Sequence, residues 1–158
     1  VEGLAAASMV FVAVPLDRVA AAVEEIAAAG FTGVLCDVAS VKEHLRPALE
    51  AARQRGVAVT SIHPMFGAGA RTLSDKVICL CDCGVPEATE RVATLFRETA
   101  VTLVPLSLER HDEIVVIERL RGKLARAVCR SGKAAAFKRR ERALVGSLAH
   151  VPVARTCA

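Results

Sequence analysis

The sequence predicts an α/β fold, a mostly parallel sheet with flanking helices over residues 1–117, followed by a basic tail over residues 118–158 that is helical in part or disordered. Three observations predict it. Short Val-rich apolar runs alternate with polar loops and amphipathic stretches, the signature of a parallel sheet with helices on its faces. Hydrophobic residues make up 53% and charged residues 24% of 158 residues, a composition and length suited to one compact domain. Residues 1–117 carry 10 Lys+Arg against 15 Asp+Glu, a balance of −5, whereas residues 118–158 carry 11 against 2, a balance of +9.

"MVFVAVP" (9–15) reads as the first strand, stopped by Pro15, and "LDRVAAAVEEIAAAG" (16–30) as a helix with apolar residues at helical spacing and a terminal Gly30. "GVLCDVAS" (33–40) is the second strand and "VKEHLRPALEAARQRG" (41–56) the second helix, with Pro47 near its start and Gly56 at its end. "VAVTSI" (57–62) is the third strand, followed by a long loop rich in Gly and Ala, and "KVICLCDC" (76–83) is the fourth. Pro86 opens the helix 86–100, whose first turn is acidic as the helix dipole prefers. "VTLVP" (101–105) is the fifth strand, and a longer helix starts at 107 with Ser107 as its N-cap. In the tail, residues 134–149 are the one expected helix.

Asp17, Arg18, Glu24 and Glu25 interrupt the most apolar stretch, so no run reaches the roughly 18–20 residues that a membrane helix needs. Glu2 and the lack of a basic n-region argue against a signal peptide. The six cysteines read as the reduced thiols of a cytoplasmic protein. With no Trp, no Tyr and five Phe, an aromatic platform for stacking bases is not expected.

Cys79, Cys81 and Cys83 alternate along one strand and so share a face, spaced about 6–7 Å apart, too wide to share one metal. They are expected to be buried structural thiols, and no metal site is expected. His44 and His150 have no partner at ligand spacing and read as surface residues. The run "KRRER" (138–142) suits a solvated segment. Its other reading makes the chain a small basic protein that contacts nucleic acid or an acidic partner through the tail, with the α/β part as scaffold.

The loops leaving the strand ends carry the chemistry-bearing residues. "VFVAVPLD" (10–17), "CDVASVK" (36–42), "SIHPMFG" (61–67) and "ERHDEIV" (109–115) together resemble prephenate dehydrogenases, in that family's order and at about its spacing, across roughly residues 4–117. The resemblance implies a partial Rossmann-like domain. It also implies oxidative decarboxylation of prephenate to 4-hydroxyphenylpyruvate with NAD or NADP, a step of tyrosine biosynthesis. Arogenate dehydrogenase shares these loops and is the alternative enzyme.

By this resemblance His63 is the catalytic base for the ring hydroxyl, and imidazole suits that role because its ordinary pKa of about 6.5 lies near working pH. Ser40 is the hydroxyl partner that orients substrate and histidine. Val14, Pro15, Leu16 and Asp37 fall among the cofactor-contacting positions, Asp37 and Lys42 also shaping the serine loop. Lys42, Gly67, His111 and Asp112 fall among the substrate-side or supporting positions.

The family's G-x-G-x-x-G turn is absent from the sequence, and "GAGA" (67–70) does not replace it because it follows H-P-M-F and opens no helix. The chain is therefore expected to be the C-terminal half of a dinucleotide domain, with little activity alone. Its exposed sheet edge and apolar faces are expected to drive self-association.

Overall fold

The structure, a computed structural model, describes residues 3–67 and 69–115. The expectations for the tail 118–158, including the helix 134–149 and the basic run, lie outside the described residues. Contacts divide the chain into two units, Val1–Glu113 and Ile114–Ala158, and the α/β unit is the first.

Five strands, β1 (Met9–Val12), β2 (Val34–Asp37), β3 (Ala58–Pro64), β4 (Val77–Asp82) and β5 (Thr102–Ser107), form one sheet in the order β1-β2-β3-β4-β5. The pairs β1/β2, β2/β3 and β4/β5 are parallel, and β3/β4 is antiparallel. The single reversal has a simple cause. Helices connect the other neighbours, whereas β3 and β4 are joined by a loop with no helix to carry the chain back across the sheet. That pairing also lengthens β3 beyond its expected end at residue 62, because His63 pairs with Cys79 and Pro64 with Ile78. His63 thus stands in a strand, where the sequence suggested a loop.

The helices α1 (Val19–Ala28), α2 (Arg46–Gln54) and α3 (Pro86–Thr94) are each shorter than expected. The first turns before α1 and α2 are 3-10 helix, at Leu16–Arg18 and Glu43–Leu45. After α3, Leu95, Phe96 and Arg97 bond back three residues rather than four. Gly30 and Gly56 end α1 and α2 at φ +74° and +83°, the left-handed conformation that a helix stop needs and glycine adopts at little cost. A fourth helix, α4, runs from residue 108 to 115. Ser107 caps it as expected, its Oγ accepting the N–H of Arg110 at 3.2 Å.

Side-chain alternation sends the sheet's two faces to different helices. Val12, Leu35 and Val59 pack with Val19, Val23 and Ala27 of α1 and Ala48, Leu49 and Ala52 of α2. Val34, Cys36, Ile62, Ile78 and Leu80 pack on the other side with Ala88, Val92 and Ala93 of α3. All four residues of β2 are buried, as a strand covered on both faces must be. Each Val or Leu fully enclosed here contributes about 1.5–3 kcal/mol through area removed from water.

Cys79 and Cys81 are buried in β4, and Cys83, just past its end, is half-buried against the α1/α2 side. Burial pushes the Cys81 thiol up to about 12 and raises those of Cys36, Cys79 and Cys83. All four described cysteines are free thiols held in their neutral form. Among the described residues no helix is long and apolar enough to cross a membrane, and no group of three His, Cys, Asp or Glu could hold a metal.

Gly33 is the position where close approach demands glycine. A Cβ there would lie 2.7 Å from the Ser8 carbonyl oxygen and 2.5 Å from the Phe31 ring. The Ser8 oxygen is fixed because it accepts the Val34 N–H at 3.0 Å, at the entry to the β1/β2 ladder. Gly33→Ala is therefore expected to lower the unfolding free energy by about 1–3 kcal/mol, measured by urea denaturation. An unchanged midpoint would show that the β1 entry yields freely.

Candidate active site

The parallel strands β1, β2 and β3 deliver their C-terminal ends to one edge of the sheet, the edge where open α/β sheets bind ligands. A cleft of about 410 Å3 lies there. Val14 and Leu16 from the segment after β1, Ser40 from the loop after β2, His63 from β3 and Phe66 beyond it line the cleft, with Val19 at the start of α1. Four sequence-predicted site residues thus meet in one space: Val14, Leu16, Ser40 and His63. Phe66 and Val19 were missed, although Phe66 lies within the H-P-M-F-G stretch and could have been read as a wall.

The remaining predicted residues do not line the cleft. Asp37 and Lys42 have no exposed side-chain surface and form an ion pair, Lys42 Nζ to Asp37 Oδ1 at 2.7 Å. Nζ also donates to the Ile62 carbonyl at 2.8 Å, and the Ala39 N–H donates to the same Asp37 oxygen at 2.9 Å. Asp37 is therefore enclosed with Oδ1 taken up by the protein itself, while its Oδ2 is buried without a hydrogen-bond partner. Pro15 is exposed between Val14 and Leu16. Gly67 is exposed beyond Phe66, and an added Cβ would meet nothing within 4 Å.

His111 lies behind His63. Its Nε2 is 2.8 Å from His63 Nδ1, and the rings meet edge to face with centroids 5.0 Å apart. His111 Nδ1 is 2.9 Å from Asp112 Oδ1, and the same oxygen accepts the backbone N–H of Lys42 at 2.9 Å. One continuous chain of polar contacts thus runs from the cleft wall at His63 through His111 and Asp112 to Lys42, and on to Asp37. Its members come from β2, the loop after it, β3 and α4.

His111 is fully buried, and burial holds its imidazole below the ordinary histidine range, against the opposing hydrogen bond to Asp112. It is neutral at neutral pH. Arg46 of α2 bonds Glu109 of α4 at 2.9 Å, an exposed contact weakened by solvent screening. The fixing of α4 therefore falls to the buried contacts.

The buried pair and His111 each give an expected outcome. Lys42→Met leaves the Asp37 carboxylate buried without its counter-ion and is expected to cost about 3–5 kcal/mol. The double variant Asp37→Asn with Lys42→Met removes both charges and should recover part of that loss in denaturant titrations. Equal loss in single and double variants would place the energy in packing instead. For His111 the folded value lies below the unfolded one, so the unfolded chain takes up the extra proton. Its stabilisation is complete above about pH 6.5 and is lost as the pH falls through the lowered value. Urea unfolding between roughly pH 5 and 7.5 should show this component in the natural sequence and lack it in His111→Phe.

The model of the family described as prephenate dehydrogenase, nucleotide-binding domain, matches residues 1–110. A Methanocaldococcus jannaschii protein named as a probable arogenate/prephenate dehydrogenase is 29% identical over 121 residues, covering 74% of this chain. The chain spans 27% of that relative's length. A Corynebacterium glutamicum protein crystallised as a candidate prephenate dehydrogenase superposes with a TM-score of 0.65 at 17% identity, over 85% of this chain and 47% of that one. An imine reductase variant from Myxococcus stipitatus in complex with NAD+ gives a TM-score of 0.62 at 17% identity, over 94% and 57%. The fold is accordingly Rossmann-like, and the match over residues 1–110 shows that this chain belongs to the prephenate dehydrogenase nucleotide-binding domain family.

Proposed function

We propose that the cleft is the proton-accepting part of a hydride-transfer site for prephenate, with arogenate as the alternative substrate because both carry the same ring hydroxyl. The observation that carries this reading is the convergence of Ser40, from the loop after β2, and His63, from β3, on one apolar-walled cleft. Family membership supports the choice of substrate.

The described residues fit a nicotinamide dinucleotide at one end only. Val14 and Leu16 give an apolar wall for a flat ring, while the sequence offers no glycine-rich turn for the pyrophosphate. When bound, the dinucleotide supplies a hydride acceptor.

The chain's own residues handle the rest. Ser40 hydrogen-bonds the ring hydroxyl, as a group able both to donate and to accept. His63 takes the hydroxyl proton as hydride leaves the same carbon. Loss of the ring carboxylate as carbon dioxide returns two electrons to the ring, which becomes aromatic. The oxygen can then take back its proton, so the reaction consumes none overall. Phe66 and Val19 keep the cleft apolar, which strengthens each hydrogen bond made inside it. Asp37 and Lys42 act by holding the Ser40 loop.

Adding prephenate to the 15N-labelled chain is expected to shift the amide signals of residues around Ser40, His63 and Phe66. His63→Asn should reduce any prephenate-dependent reduction of NAD+ or NADP+ by about 10²–10⁴-fold, the usual contribution of a general base. Shifts confined to another surface, or turnover indifferent to His63, would refute the reading.

A further inference from the structure

We propose that His111 is a positioning residue that sets the tautomer of His63, so that neutral His63 carries its proton on Nδ1 and keeps the lone pair on Nε2. This deepens the proposed function, in which His63 is the base, but its physical argument stands on contacts inside the protein.

An ionised carboxylate can only accept hydrogen bonds, and Oδ1 of Asp112 already takes the Lys42 N–H at 2.9 Å. The 2.9 Å contact with His111 must therefore be a donation from His111 Nδ1–H. His111 is fully enclosed, and burial keeps it neutral, so a single ring proton is available and it is on Nδ1. His111 Nε2 is then an acceptor. The 2.8 Å contact with His63 Nδ1 can only be a donation from His63. Neutral His63 thus has its lone pair on Nε2.

The arrangement resembles a carboxylate holding a catalytic imidazole in the required tautomer, with a second imidazole inserted between the two. The insertion matters electrostatically. When His63 gains a proton, the charge is met by the lone pair of His111, and Asp112 stabilises the charge at one remove. His111 carries no charge of its own until it receives the Nδ1 proton of His63. The anchoring of Asp112 Oδ1 by the Lys42 backbone ties this line of contacts to the loop that carries Ser40. The hydroxyl and the base are therefore positioned by one connected structure.

Long-range 15N–1H correlation spectra of the 158-residue chain, recorded at mildly alkaline pH, read the protonation of each imidazole nitrogen directly. His63 and His111 are both expected as Nδ1–H tautomers. In His111→Ala, His63 should shift to predominantly Nε2–H. His111→Phe should do the same while filling the buried space, its amide spectrum reporting that the fold is kept. Asp112→Asn preserves an oxygen that can accept from both donors, and His63 should keep its Nδ1 proton there. Finding Nε2–H on His63 in the natural sequence overturns the inference, as does an unchanged His63 tautomer in a folded His111 variant. If His63 holds Nδ1–H but prephenate shifts no cleft residue, the tautomer inference stands and the catalytic reading falls.

Discussion

The ammonium of Lys42 is the point on which the candidate site is built. It is fully buried and bridges the end of β2, through Asp37, to β3, through the Ile62 carbonyl. Placing a charge there is costly, and the Coulombic return depends on short, well-aligned contacts. The loop 38–42 must therefore fold so that Nζ reaches both acceptors, which fixes the path of the backbone past Ser40. The backbone N–H of the same residue binds Asp112. One residue thus orders the loop after β2 with its side chain and the start of α4 with its main chain.

The second constraint is topological. Parallel strands alone would bring Val14, Ser40 and the end of β3 to one edge of the sheet. The antiparallel return of β4 extends the pairing of β3 past Ser61 by three residues, Ile62, His63 and Pro64. A histidine on a free loop would choose among rotamers and backbone positions at each encounter with substrate. Held in a ladder opposite Cys79, it has only its side-chain torsions to settle, and the contact with His111 restrains the ring. Catalytic groups on rigid elements lose less entropy when they engage a reacting atom.

Local chemistry explains what the sequence revealed. The stops at Gly30 and Gly56, the cap at Ser107 and the Val-rich strands depend on neighbouring residues, and a reader of the chain finds them directly. The grouping of Val14, Leu16, Ser40 and His63 was legible only because the motifs resemble a known family. Asp37 was read there as a cofactor-contacting position, and the structure encloses it with Lys42. The reason is an acid and a base five residues apart at a strand end, paired through Lys42 Nζ and Asp37 Oδ1. The contact of His63 with His111 spans 48 residues and that of Lys42 with Asp112 spans 70. No periodicity encodes such distances. They follow from the sheet order and from where α4 starts, both of which require the assembled fold.

A dinucleotide site performs two jobs together. A pyrophosphate is held by backbone N–H groups at a helix start, which needs glycine so that the main chain can approach. The reacting rings need apolar walls, a hydroxyl and a base in the right tautomer. Nothing in the second set depends on the geometry of the first, because its order comes from the Lys42 pair and the His63 to Asp112 contacts. The contacts that would orient the proposed base run from His63 through His111 and Asp112 to Lys42 and involve no residue of a phosphate turn. On the proposed reading, the energy of cofactor binding would serve to place the nicotinamide rather than to assemble the base.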